Sequence, residues 1–233
     1  MSPFFLRLTG SVVAVLVLVA GCAYRGADDP VSLRLSWFSY LNGDDLRGLC
    51  IPGAPDRYRF VYNGVNVEQL RLYELTERPG GDGHILSVRV IGAPSLATVE
   101  IGAPGDLIEP WRGRSETVVL RDDDLALLRR AMESARVFDP SPEGLELPSK
   151  GFFWIVDACR AGRFHFNAYL WPSDRFDRAA FANLLLAWDP TGVALNAPRV
   201  PQYELYDPDQ ATSARNFQLR VGRNGLWGAK PWF

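Results

Sequence analysis

The chain has 233 residues, 47% of them hydrophobic and 12% aromatic, with a formal net charge of −2. So much apolar and aromatic material excludes a disordered tether and points to a packed core. A weakly acidic balance argues against nucleic-acid binding, because phosphate recognition needs a basic surface. Arg outnumbers Lys by 23 to 2, a bias that GC-rich coding sequence produces without any functional demand.

A single basic residue, Arg7, precedes an apolar run from Val12 to Ala20, which closes on small residues. Charge, a short apolar core and small residues before a cut site are the parts of a secretory signal peptide. A run of about nine residues is too short to span a bilayer as a helix. Val19-Ala20-Gly21-Cys22 resembles the lipobox of bacterial lipoproteins. The resemblance implies cleavage before Cys22, a diacylglyceryl thioether on its sulfur and acylation of the new amino terminus. Several acyl chains make a durable anchor. Ala20-Gly21 also fits an ordinary signal cleavage site, with Cys22 incidental to it. In the lipoproteins that this segment resembles, Asp after the Cys signals retention in the inner membrane. Ala23 stands there instead, so the expected address is the outer membrane, facing the periplasm. The implied organisation is a signal peptide over 1–21 and an anchor, leader and N-terminal helix over 22–55. An α+β core follows over 56–190, then an extended Pro- and aromatic-rich tail over 191–233.

Asp29-Pro30 reads as a helix start, with Asp as cap and Pro in the first turn. Val31, Leu35, Phe38 and Leu41 recur at helical spacing, and Asn42-Gly43 ends the helix. Leu46 and Leu49 form one further turn before Cys50. Pro52-Gly53-Ala54-Pro55 breaks the chain. Arg57 to Tyr62 and Val65 to Leu75 read as strands, joined by a two-residue turn at Asn63-Gly64. Gly80 to Gly83 makes a second turn into a strand from His84 to Ile91. Ile91-Gly-Ala-Pro94 recurs as Ile101-Gly-Ala-Pro104, a spacing that suits a meander but gives too few copies for a repeat protein. Ser115 to Leu120 is another strand.

Asp122-Asp123-Asp124 then provides a cap and first-turn acids for a helix through Val137, with Leu125, Leu128, Met132 and Ala135 along one face. A hairpin follows, with arms Phe152 to Cys159 and Phe164 to Trp171 and a turn over 160–163. Ser173-Asp174 caps a helix carrying Phe176, Ala180, Leu184 and Trp188. Beyond Thr191 the chain is extended apart from a strand at Asn216 to Val221. Strands joined by tight turns mean antiparallel pairing, and helices in separate positions mean an α+β layer fold. The expected architecture is an antiparallel β-meander and a β-hairpin packed with two or three helices in a single compact domain. Alternation in the second hairpin puts Phe164, Phe166, Ala168 and Leu170 on one face, which the 123–137 helix is expected to cover.

With Cys22 acylated, Cys50 and Cys159 remain, and an even pair in an oxidising compartment reads as a disulfide. The sharper alternative is a thiol hydrolase built from Cys159 and His165, with Asn167 or Asp157 as the orienting group. No zinc-ligand set is apparent around the two histidines, His84 and His165, and the Asp122-Asp123-Asp124 run lacks the alternating spacing of a calcium loop. No phosphate-binding glycine motif or nucleophile elbow occurs, so no cofactor is expected. What stands out is aromatic: Trp37 and Tyr40 near the anchor, and Trp227, Trp232 and Phe233 at the far end. Such residues carry interface energy in many complexes, and large aromatics also commonly plug the edge of their own core. The leading expectation is therefore a lipid-anchored, non-enzymatic module that binds an envelope protein, held to the membrane through Cys22. Residues 115–188 also resemble, in layout, the small inhibitor domains of the emfourin type, which implies a periplasmic protease inhibitor as the alternative.

Overall fold

The apolar runs from Arg57 onward pair into two antiparallel sheets. The computed structural model describes residues 37–92 apart from 67, 79, 81 and 82, together with 113–200 and 217–231. The strands are β1 (Arg57–Gly64), β2 (Gln69–Glu77), β3 (His84–Gly92), β4 (Arg114–Leu120), β5 (Glu146–Pro148), β6 (Phe152–Arg160), β7 (Arg163–Leu170), β8 (Phe217–Gly222) and β9 (Gly225–Pro231). Six of them form one sheet in the order β4-β3-β2-β1-β6-β7, and β5-β8-β9 form a second. The helices are α1 (Asp44–Leu49), α2 (Asp122–Ser134), α3 (Asp174–Asp177) and α4 (Phe181–Ala187). The described residues from Phe38 onward make one compact α+β unit, the class that the tight turns predict.

Strand side chains alternate between faces, and here both faces of the large sheet are covered at its centre. One face carries Tyr58, Phe60, Tyr62, Tyr73, Leu75, Leu86 and Val88 with Trp154 and Val156. Leu125, Leu128 and Met132 of α2 and Phe181 and Leu185 of α4 close over it. The Phe181 ring lies 5.2 Å from Phe60, 5.7 Å from Trp154 and 5.4 Å from Tyr169. On the other face Val61, Phe153, Ile155, Phe166 and Ala168 are buried, as are Leu41 and Leu46 from the N-terminal side and Leu147, Leu219, Val221 and Leu226 from the second sheet.

Several expectations are corrected. α2 covers the face opposite to the one predicted. Asn167 donates from Nδ2 to the carbonyls of Arg136, Val137 and Asp139, and Tyr169 donates to Ala135 at 2.9 Å. A helix end exposes carbonyls without partners, and the buried Asn167 amide is the group that needs them. The turn at Asn63-Gly64 lies further on. β1 runs through Gly64, and Val65 takes the positive φ of 58°. Asn63 is held in the strand because its amide donates to the carbonyls of Ser149 and Gly151. The single helix expected after Ser173 is two, α3 and α4. Ser173 Oγ does cap the first, accepting from Phe176 N at 3.1 Å. The break re-aims the second so that Phe181 and Leu185, not the Phe176 series, are fully buried.

The C-terminal region is also not simply extended. Near its start, buried Arg71 donates to Asp189 at 2.5 Å and to the Val193 carbonyl, and Gln69 Nε2 donates to the Ala194 carbonyl at 2.9 Å. Further on, β8 and β9 form a hairpin of the second sheet, overlapping the strand predicted at 216–221. The Ile101-Gly-Ala-Pro104 repeat copy and the start of the N-terminal helix lie outside the described residues.

The β7 edge of the large sheet is occupied by side chains. Ser141 Oγ donates to the Phe166 carbonyl at 2.7 Å, and Asn224 accepts from Phe166 N at 2.9 Å while donating to the Phe164 carbonyl. Arg175 Nε donates to the Ala168 carbonyl at 3.0 Å, and Ser173 Oγ to that of Leu170 at 2.6 Å.

Cys50 and Cys159 form a disulfide, closing a sequence separation of 109 residues. It ties the loop after α1 to interior strand β6. In the chain-entropy model a loop of this length contributes about 4–5 kcal/mol. Replacing both cysteines by Ser is expected to lower unfolding free energy by an amount of that order, read as a fall in the denaturant midpoint.

Candidate functional site

Strands β1 and β6 pair Arg59 opposite Asp157, and alternation puts both on the face that meets the N-terminal segment. Arg59 is 3% exposed. Its guanidinium grips Asp45 of α1 in a fork, at 2.8 and 2.6 Å, and reaches Glu74 at 2.8 Å from Nε. It also donates to the Tyr40 carbonyl at 2.9 Å and lies 3.7 Å from the centre of the Tyr40 ring. The Tyr40 hydroxyl donates to Glu74 at 3.1 Å, and burial with Glu74 beside it pushes its pKa up. Tyr40, predicted as a partner contact, is thus joined to the Arg59 network and half-buried.

Asp157 is fully buried, and neither carboxyl oxygen has a hydrogen-bond partner. The backbone of Gly43, at φ 66°, crosses directly over it. A Cβ at that position would stand 2.7 Å from Asp157 Cγ and 2.8 Å from the Phe164 ring. Here glycine is required both by the positive φ and by the close approach. Burial is the main force raising the Asp157 pKa well above the ordinary carboxyl value; Asp45 and Asp44 add to it, while Arg59 and Arg47 oppose it. Burial without a hydrogen-bond partner thus favours the neutral form of Asp157.

The hydrolase constellation does not assemble. Cys159 is taken up by the disulfide. Cys159 and Asp157 project to one face of the sheet, while His165 and Asn167 project to the other by the same alternation. His165 packs edge-on against Phe138 at 5.2 Å, and burial together with Arg163 lowers its pKa. His84 lies 3.5 Å from Asp122, at the rim of an open hollow of about 300 Å³ that also includes Asp56, Tyr58 and Arg129. Arg129 pairs with Asp56 at 2.7 Å, Tyr58 bridges them, and burial pushes the tyrosine up to about 12. Among the described residues no three His, Cys, Asp or Glu are placed to hold a metal ion. Asp124 accepts from Arg121 N at 3.0 Å, so this member of the acidic run caps α2.

Of the remaining aromatics, Trp37 is half-buried at the start of a helical stretch over 37–41. Trp227 is 79% exposed on β9. Its neighbour Leu226 faces inward, and Leu226 N donates to Asn42 at 2.6 Å. The β8–β9 turn is pinned as well, because Arg47 donates to the Asn224 carbonyl at 2.7 Å. Trp227 is thus mounted on a fixed hairpin, on the outer face where Arg220 of β8 is also exposed. Trp232, Phe233 and Cys22 lie outside the described residues. The seam around Arg59 and Asp157 was not foreseen. The signal for it was a single acid inside the otherwise apolar run Phe152 to Cys159. Comparison with protein-family models, curated proteins and solved structures gives no match.

A carboxyl with a raised folded pKa favours the native state fully below the unfolded value, and that contribution is lost as pH climbs through the folded pKa. Wild-type stability is therefore expected to decline with pH upward from the ordinary carboxyl range. Asp157→Asn, which cannot ionise, should remove that slope and be the more stable chain at neutral pH. Denaturant titrations of both proteins across pH check this, and parallel pH profiles would count against a neutral Asp157.

Proposed function

We propose that the protein is a lipid-anchored component of the bacterial cell envelope that works by binding, not catalysis. It would be held by acylated Cys22 on the periplasmic side of the outer membrane and would engage an envelope protein through Trp227. The observation that carries the binding reading is the 79% exposure of Trp227 on a hairpin fixed at both its turn and Leu226. A large aromatic ring on a rigid mount loses little entropy on docking and contributes a large apolar area. The address draws on two features. The disulfide suits an oxidising compartment, and it uses Cys50 and Cys159, leaving Cys22 as the third cysteine of the chain.

In-cell crosslinking of the tagged chain, followed by membrane extraction and mass spectrometry, is expected to return one dominant envelope partner. Trp227→Ala should weaken that capture by about 2 kcal/mol, roughly thirtyfold in Kd, while leaving stability within about 0.5 kcal/mol. Equal capture by the variant would sink the Trp227 assignment. Deleting 226–233 is a poorer test, because it also removes Leu226 from the interior. Cys22→Ala is expected to abolish incorporation of labelled palmitate; retained label would dispose of the anchor.

A further inference from the structure

Asp157 and Arg59 stand directly opposite each other where β6 pairs with β1, so their side chains share one face with Cβ atoms about 5 Å apart. An acid and a guanidinium so placed would ordinarily pair. Here they do not. Both Asp157 oxygens are buried without a hydrogen bond, and Arg59 spends its donors on Asp45, Glu74 and the Tyr40 carbonyl. The charged and titratable groups around Asp157 come from four elements. β1 brings Arg59, and α1 brings Asp44, Asp45 and Arg47. The stretch before α1 brings the Tyr40 hydroxyl, and β2 brings Glu74, to which that hydroxyl and Arg59 both donate. β7 sends Phe164, Phe166 and Ala168 to this face, none of them charged. Asp44 accepts from Ser39 and Asn42. Arg47 is held by the Asn224 carbonyl and lies 4.0 Å from the centre of the Phe164 ring. Arg59, mounted on the neighbouring strand, is the cation positioned to answer a charge on Asp157.

We propose that Arg59 works a proton-gated clasp: when the Asp157 carboxyl gives its proton to water, the guanidinium turns from Asp45 to Asp157 and releases α1 with the turn before it. The exchange follows from burial. An ionised Asp157 has no water to solvate it and must take a nearby cation. The Asp45 side chain is 55% exposed and that of Glu74 42%, so each regains water when the guanidinium leaves. Arg59 in turn gains a partner in a drier place, where the attraction of opposite charges is stronger. What it abandons cannot hold itself. α1 has six residues and no side-chain cap at Gly43, far below the length at which a helix persists alone. The buried Leu41 and Leu46, the Asn42 contact with Leu226 N and the Arg47 contact with Asn224 oppose release, which makes it an opening equilibrium within the folded chain. Release ends at Cys50. Its partner Cys159 lies two positions along β6 from Asp157, on the same face. The disulfide is thus the hinge, and the freed stretch is the one leading back toward the amino terminus. This clasp does not depend on the lipid anchor.

Hydrogen exchange of the full-length, disulfide-bonded chain tests this, read by mass spectrometry across pH and corrected for the intrinsic pH dependence of amide exchange. Burial raises the Asp157 pKa in the closed form, and release returns the carboxyl to its ordinary value, so opening sheds one proton. Protection over 44–49 is expected to be lower than over β6 and to fall about tenfold per pH unit above the ordinary carboxyl range. Asp157→Asn should remove that slope. Asp45→Ala, at an exposed position, should lower protection over 44–49 severalfold and leave the slope in place. Flat protection over 44–49 in the wild type overturns the clasp, as does protection equal to that of β6, which would mean that α1 opens only when the whole molecule unfolds. A slope that persists in Asp157→Asn also overturns it, and unchanged protection in Asp45→Ala removes Arg59 from the mechanism. If Asp157→Asn does not fold, the wild-type slope and Asp45→Ala decide.

Discussion

Strands β1 and β6 are neighbouring interior strands of the large sheet and are buried along nearly their whole length on both faces. This constraint organises the rest. A strand exposed on one side can send its polar residues to water; these two cannot. A polar side chain buried on them must either be met by a group brought from elsewhere in the chain or bear the cost of having none. Arg59 draws in Asp45, Glu74 and Tyr40, which fixes α1 and the turn before it. Asn63 draws in the carbonyls of Ser149 and Gly151 at the entry to β6. Asp157 draws in nothing; it lies unpaired beneath Gly43, where burial raises its pKa.

The local chemistry of the sequence was readable where a segment settles its own conformation. Ala161 and Gly162 both take positive φ, as a two-residue hairpin turn requires, and the acids before Leu125 mark the start of α2. Reading failed where a distant group decides. Asn63-Gly64 has turn chemistry, yet the amide is worth more inside the strand than in a turn. Alternation correctly grouped Phe166 with Ala168, but period two says nothing about which layer lies above them; the Asn167 amide and the end of α2 settled that. Phe181 likewise displaced the simpler i+4 series because three aromatic rings wait for it.

The same division holds for the candidate site. Trp227 stood out as an aromatic near the far end of the chain and is exposed, whereas Tyr40 looked equivalent in sequence and is engaged by Arg59. Nothing local distinguishes the two. The acid within the β6 run was visible, but its isolation follows from where Gly43 passes, over one hundred positions away. The proposed binding role therefore leans on a surface feature and on the resemblance of the first 22 residues to a lipoprotein signal, while the buried seam explains how the N-terminal segment is held against the sheet.

The β7 edge has one more consequence. An edge strand is a template for another strand, but here Ser141, Ser173, Arg175 and Asn224 already occupy its outward groups. Growth of the six-stranded sheet from chain to chain would need two open edges. With one closed by its own side chains, strand-to-strand association through this sheet can at most join two copies and then stop, because the closed arrangement leaves no further edge to extend. Four hydrogen-bonding side chains thus close this edge of the sheet to a strand from another copy.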